Sequence, residues 1–143
     1  MRAQPLLLLL LAAPVAAAAQ APDDTPNAAE LSDSSLAMGK ALFHGAGNCS
    51  TCHGEAGRGS DRGANLTDGV WRHGNGGFLS IVEQVVHGVD HPTGGPTTPM
   101  PRLTVGQLSY RQARSVAAYV WTLSHAIPAS LRPSPSPSRP RTR

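Results

Sequence analysis

Two cysteines and a histidine lie within five consecutive positions, Cys49-Ser50-Thr51-Cys52-His53. The pattern C-x-x-C-H is typical of covalent haem attachment. Two thiols three positions apart can form thioethers with the two vinyl groups of one porphyrin, and the imidazole that follows can then reach the iron. We therefore predict that Cys49 and Cys52 attach one haem c and that His53 is an axial ligand of its iron.

Three other interpretations of the cysteine pair are weaker. A disulfide between Cys49 and Cys52 would close a ring too small to stabilise a fold appreciably. A thioredoxin-like dithiol should open a helix after a β-strand, whereas the residues before Cys49 end a helical run. A zinc site would need two further ligands, and only histidines could supply them because the chain has no other cysteines.

The second axial ligand of an electron-transfer haem is commonly methionine or a second histidine. Met100 is our candidate, because Pro99 and Pro101 hold it in extended backbone from which its thioether can reach an iron. Met38 precedes the cysteines too closely to reach the opposite face of the ring. Histidine is the alternative, first at His87 or His91, with weaker cases for His44, His73 and His125.

Three helices are predicted to position these residues. The first begins after a cap at Ser34 or Ser35 and runs to about Gly45. The second carries the apolar stripe that starts at Phe78 and ends at Gly88. The last opens with a Ser109–Gln112 capping box and runs to about Ser124. Since no segment alternates with a period of two, we expect an all-α domain.

Few large aromatic side chains are available to fill a core, since aromatic residues make up only 4% of the chain. A buried porphyrin would supply the missing apolar area, so we expect folding to depend on haem insertion, as it depends on metal binding in small metallo-domains.

The order of these motifs resembles the class I cytochrome c family. The resemblance spans about residues 35–125 and rests on Gly39-x-x-x-Phe43, the CxxCH motif, a glycine loop, a helix, Met100-Pro101 and Val116-Ala117-Ala118-Tyr119-Val120. More narrowly, Asn65-Leu66-Thr67-Asp68-x-x-Trp71 resembles a haem domain from subunit III of the C-family haem–copper oxidases. The resemblance implies a class I cytochrome c fold, a haem between His53 and Met100, and first and last helices that cross at Gly39 and Phe43 against Val116 and Tyr119.

The chain departs from the family pattern in two places. The family usually has a proline after the glycine loop, and the carbonyl before that proline orients the axial histidine. Gly63-Ala64-Asn65 stands there instead, so the carbonyl that accepts from His53 is left open. The loop Gly88–Pro99 is also long and rich in glycine and proline. Trp71 and Arg72 are candidates to bind a propionate, although a core tryptophan and a surface arginine are equally good interpretations.

The two ends of the chain are predicted to lie outside the domain. Residues 1–19 read as a signal peptide, with Arg2, six leucines from Leu6 and an A-x-A site. An uncleaved anchor is the alternative, although the apolar stretch is shorter than the roughly 20 residues of a membrane span. Residues 20–32 read as a polar lead-in, 33–127 as the cytochrome c domain, and 128–143 as a disordered Pro/Ser/Arg-rich tail.

The positive net charge of +3 comes from the tail, which holds four arginines. Between Asp33 and Pro128, seven basic residues minus six acidic ones leave +1, which the propionates of a haem would reverse. A nucleic-acid partner is therefore not expected. A solvated tail is the first interpretation of these arginines, and weak contact of the tail with acidic partners or a membrane surface is the alternative.

These features predict a periplasmic monohaem c-type cytochrome that transfers single electrons between redox partner proteins and is not itself an enzyme. A haem-c relay subunit of a periplasmic dehydrogenase, reductase or oxidase complex is the alternative. A haem-based gas sensor or peroxidase is a third class, and it would require a distal site that opens.

Overall fold

Helices account for the regular structure of the described part of the chain. The computed structural model describes residues 24–103 and 107–132, which contain α1 (Asp33–His44), α2 (Ser50–His53), α3 (Phe78–His87), α4 (Tyr110–Ser124) and a 3₁₀ turn, Ala129–Leu131. Within those ranges no strand forms, and one isolated antiparallel bridge joins Val89 to Met100. The all-α prediction is confirmed.

The first and last long helices cross in close contact at Gly39. A side chain on Gly39 would overlap the backbone carbonyl of Ser115 on α4, so only glycine permits this approach. On either side of the crossing, the Ser35 and Ser115 hydroxyls are 3.2 Å apart. The rings of Phe43 and Tyr119 pack edge to face at 5.5 Å. The crossing implied by the family resemblance is therefore present.

Helix α3 packs against α4 and closes the core from a second side. Its stripe of Phe78, Ile81, Val82 and Val85 is buried, as its apolar spacing predicts. The other buried apolar residues come from α1, α4 and the segment before α1: Leu31, Phe43, Ala113, Val116, Ala117, Ala118, Val120 and Trp121. Three of these twelve are aromatic, namely Phe43, Phe78 and Trp121, and the other nine are aliphatic, among them three alanines and four valines.

The helix ends follow capping chemistry. Helix α4 begins with the predicted Ser109–Gln112 capping box. Gly88, at φ +72°, ends α3 as predicted. Helix α1 begins earlier than predicted, because Ser32 is its N-cap and accepts from the Ser35 backbone N–H. The sequence offers three serines in this region, and spacing alone does not distinguish the one whose backbone is extended.

Part of the predicted polar lead-in, the segment before α1, contacts the helices. The described part of the lead-in, residues 24–32, packs against the helices: Pro26 and Leu31 are fully buried. The Asp24 carboxylate accepts from the Leu79 N–H at the start of α3, and Glu30 forms an ion pair with Arg114 of α4. These contacts join residues more than fifty positions apart, so local polarity did not reveal them.

At the other end, the first residues of the predicted tail also contact the domain. Residues 129–131 form the 3₁₀ turn, and Leu131 is half-buried against the core. The predicted signal peptide and residues 133–143 of the predicted tail lie outside the described residues. Over residues 24–103 and 107–132, no helix has the length and apolar character needed to cross a membrane.

Candidate functional site

A cavity of about 560 Å³ lies between the CxxCH motif, α3, α4 and the loop that carries Met100. This is within the range of roughly 300–1,000 Å³ typical of cofactor sites. Apolar side chains from α1, α3 and α4, together with Leu66 of the intervening loop, form much of its wall: Phe43, Leu66, Ile81, Val85, Val116 and Val120. Cys49, Cys52, His53 and Met100 line the same cavity. The structure therefore brings together all four residues that the sequence singled out.

Cys49 is the N-cap of the short helix α2, Cys52 lies within that helix, and both are free thiols. Burial raises the pKa of the Cys49 thiol, and the nearby Cys52 adds to that shift. No disulfide joins the pair, although their spacing would permit one. The thiols are thus available for thioether bonds to a group in the cavity.

His53 is oriented by a backbone carbonyl. Its Nδ1 lies 2.8 Å from the Ala64 oxygen, and since a carbonyl can only accept, Nδ1 carries the proton and Nε2 is left as the free donor atom for a metal. Burial lowers the pKa of His53, and the hydrogen bond to Ala64 opposes part of that shift. The neutral imidazole that iron requires is therefore favoured. The orienting carbonyl, which the sequence left open, belongs to the second residue of Gly63-Ala64-Asn65.

Met100 reaches the cavity from a loop that is closed at its base. Its backbone pairs with Val89, with N–H···O distances of 2.9 and 3.0 Å. A side chain on Gly88 would overlap the Met100 carbonyl oxygen, so this glycine, at positive φ, permits the bridge. The Met100 side chain is half-buried and packs against the core.

The histidines considered as alternative iron ligands differ in whether they line the cavity. Neither His87 nor His91 lines the cavity, and both are exposed. His87 instead lies 3.2 Å from Glu83, one turn earlier on α3. His73, which the sequence ranked low, does line the cavity. Its Nε2 accepts the Thr93 N–H at 3.3 Å, so the sequence missed a cavity residue whose position depends on a distant loop.

Trp71 and Arg72 both line the cavity, and a contact with a propionate stays a prediction for each. The Trp71 ring stacks on His125 at 6.5 Å, and His125 in turn stacks on Trp121 at 4.5 Å. Arg72 is exposed and forms no ion pair with any residue of the described chain. A cation without a carboxylate partner at the cavity edge suits an anionic group bound there.

The chemistry of the cavity wall fits a haem. The wall is largely apolar, and it presents two thiols, an imidazole with a free Nε2 and a thioether. The zinc interpretation lacks ligands, because residues 24–103 and 107–132 hold no cluster of three or more His, Cys, Asp or Glu side chains suited to a metal ion.

Residues 36–124 match the family model for cytochrome c. The chain belongs to the cytochrome c family. Haem c is accordingly the cofactor of this domain, and electron transfer is the function that the family implies. The match spans both crossing helices, the CxxCH motif and the Met100 loop, so it covers the whole site described above.

Two curated relatives are subunits of oxidases. The chain is 31% identical over 132 residues to the cbb3-type cytochrome c oxidase subunit CcoP of Rubrivivax gelatinosus, covering 83% of this chain and 39% of that protein. It is 36% identical over 107 residues to the cbb3-type cytochrome c oxidase subunit FixP of Azorhizobium caulinodans, covering 72% and 29%. The chain thus spans about two fifths or less of the relatives it matches.

A solved structure is also similar. Cytochrome cL of the marine methylotroph Methylophaga aminisulfidivorans has 22% sequence identity to this chain and a TM-score of 0.49, over 66% of this chain and 57% of that one.

Proposed function

We propose that this protein is an exported monohaem cytochrome that transfers single electrons between redox partner proteins. In this proposal Cys49 and Cys52 hold the haem through thioethers, and His53 and Met100 ligate its iron. The observation that carries it is the shared cavity, which has the CxxCH motif in one part of its wall and Met100 in another. The bound iron would supply one reversible oxidation step.

The chain's own residues account for the other requirements of a carrier. Ala64 fixes the ring of His53, so this ligand need not reorient when the oxidation state changes. The apolar wall excludes water, and burial together with a thioether ligand favours the reduced state. If His53 and Met100 both ligate the iron, no coordination position would remain for a substrate. These properties support a carrier over a gas sensor or a peroxidase.

A relay subunit of a larger complex is the second candidate. It is supported by the identity of 31% and 36% to cbb3-type oxidase subunits. Both candidates require the same haem pocket, so they differ only in whether the protein remains bound to a partner. Purification of the tagged protein from its native membranes and soluble fraction would distinguish them. A stoichiometric large partner supports the relay subunit, and an isolated haem protein supports the shuttle.

Export rests on the pattern of residues 1–19. The measured mass of the mature haem protein tests it. A chain that begins near Gln20 supports cleavage and periplasmic release, whereas a full-length chain in the membrane fraction supports an uncleaved anchor.

The ligand assignment is tested by spectra of the wild type and Met100→Ala. The oxidised wild type should show the Met-to-iron charge-transfer band at the red edge of the visible spectrum, and the variant should lose it while keeping a covalently bound haem. Persistence of the band in Met100→Ala would show that this methionine is not the ligand. Rapid binding of carbon monoxide by the ferrous wild type at neutral pH would favour the sensor or peroxidase class.

A further inference from the structure

The segment Val89–Met100, which we call the methionine loop, is closed at its base by a backbone pair and held along its interior by separate hydrogen bonds. Its base is closed by the backbone pair between Val89 and Met100. Its interior contains Gly94, Gly95 and three prolines and contributes no residue to the buried core. Core packing therefore does little to oppose opening of this loop, and individual hydrogen bonds matter more than they would in a helix.

The interior of the loop is tied to His73. The Thr93 N–H donates to Nε2 of His73 at 3.3 Å, and the half-buried His73 lines the cavity together with Thr93 and Met100. A second tie, from the Thr97 N–H to the Asp61 carbonyl at 3.3 Å, lies further along the loop. The imidazole of His73 thus joins the wall of the cavity to the middle of the methionine loop by a hydrogen bond, and the neighbouring Arg72 side chain lies against Gly94 of the same loop.

His73 is itself anchored to α3. The Gln84 side-chain amide donates to the His73 carbonyl at 3.0 Å and to the Ser80 carbonyl at 3.2 Å. The Ser80 hydroxyl accepts from the Asn75 N–H at 3.3 Å. The turn that contains His73 is therefore fixed to a helix whose opposite face is in the core. Hydrogen bonds thus connect Gln84 of α3 to the His73 backbone and the His73 ring to Thr93.

We propose that His73 is a positioning residue for the distal ligand: by accepting the Thr93 N–H it holds the methionine loop closed and keeps Met100 on the iron. This inference rests on the proposed ligation by Met100. Loss of the acceptor would leave Thr93 unpaired and let the loop open more often, so that Met100 would leave the iron more readily. His73 does not need to bind the iron for this role, since its Nε2 is already occupied.

The test compares His73→Leu, which removes the acceptor, with His73→Gln, whose side-chain oxygen can accept the same N–H. His87→Leu is the matched control, because His87 is exposed and lies outside the cavity. Exogenous imidazole added to the ferric holoprotein competes with Met100 and reports how readily that ligand leaves. Loss of the charge-transfer band during the titration identifies the displaced ligand as the methionine.

We expect His73→Leu to bind imidazole about fivefold more tightly than the wild type, the change that corresponds to the net contribution of one ordinary hydrogen bond. His73→Gln and His87→Leu should behave like the wild type. Unchanged imidazole binding in His73→Leu, with the band present in the wild type, would overturn this inference and leave the ligand assignment standing. Absence of the band from the wild type would overturn both.

A second measurement needs no variant, in case His73→Leu fails to yield holoprotein. Amide hydrogen exchange of the wild-type holoprotein should show the Thr93 N–H protected, because it is bonded to His73. Exchange at the rate of an unstructured peptide would overturn the proposed contact.

Discussion

Replacement of Gly39 by alanine should destabilise the protein, although alanine is the better helix former. The added methyl group would overlap the Ser115 carbonyl of α4. Because that oxygen belongs to a helix backbone, it cannot move aside as a flexible side chain could. The two helices would have to separate, and overpacking of this kind costs about 1–3 kcal/mol.

Separation of α1 and α4 would also weaken the contacts on either side of Gly39. The hydrogen bond between Ser35 and Ser115 contributes about 1 kcal/mol, and the edge-to-face pair of Phe43 and Tyr119 about 0.5–1.5 kcal/mol. The higher helix propensity of alanine returns about 1 kcal/mol. The net loss should therefore be roughly 1–3 kcal/mol, given partial loss of these contacts.

Denaturant unfolding of the holoprotein, followed by far-UV circular dichroism, measures this loss. Lys40→Ala is the control, because Lys40 is the exposed neighbour of Gly39 on the same helix. It should change the free energy of unfolding by less than about 0.5 kcal/mol. A Gly39→Ala protein as stable as the wild type would refute the close approach of the two helices.

Three further predictions concern other parts of the fold. Asp24→Ala should lower the free energy of unfolding by about 1 kcal/mol, since it removes the cap from the first turn of α3; an unchanged denaturation midpoint would mean that the segment before α1 does not hold this helix. Glu30→Gln should lower the free energy of unfolding by about 1–3 kcal/mol, because the partly buried Arg114 would lose its carboxylate partner. Glu83→Gln, which removes the carboxylate of an exposed pair, is the control and should have a smaller effect. Burial raises the pKa of Tyr119 above its ordinary value near 10, so the unfolded state ionises first and the free energy of unfolding should fall as pH rises past 10. Tyr119→Phe should lose less stability over this pH range. Identical alkaline unfolding of the variant and the wild type would contradict this prediction.

The features that the sequence predicts correctly are local. Helical periodicity identifies α3, the capping box identifies the start of α4, and the CxxCH motif identifies the haem site because five adjacent residues carry the whole pattern. Met100 was inferred from its two flanking prolines, and it does lie at the cavity. Its bond to iron stays a prediction.

The features that the sequence missed depend on contacts between distant segments. Residues 24–32 look like a polar linker, yet Leu31 is buried against helices that follow much later in the chain. The partner of His53 is a backbone carbonyl, and a carbonyl is present at every position, so residue types give no signal for it. His73 had a weak case because its role depends on a loop twenty residues further on. The one signal for His73 in the sequence is its place as a polar residue shortly before a helix that leads into a glycine-rich loop.

The cavity also explains why haem attachment and folding should be coupled. Phe43, Ile81, Val116 and Val120 belong both to the buried core and to the cavity wall, so the core is complete only when the cavity is filled. Since such domains are stable by only about 5–15 kcal/mol, loss of the apolar contacts that a haem would make with these four residues should leave the chain without haem unable to hold this conformation. Replacement of both Cys49 and Cys52 by alanine should accordingly yield little folded protein, and a well-folded, haem-free double variant would show that the small helical core is sufficient by itself.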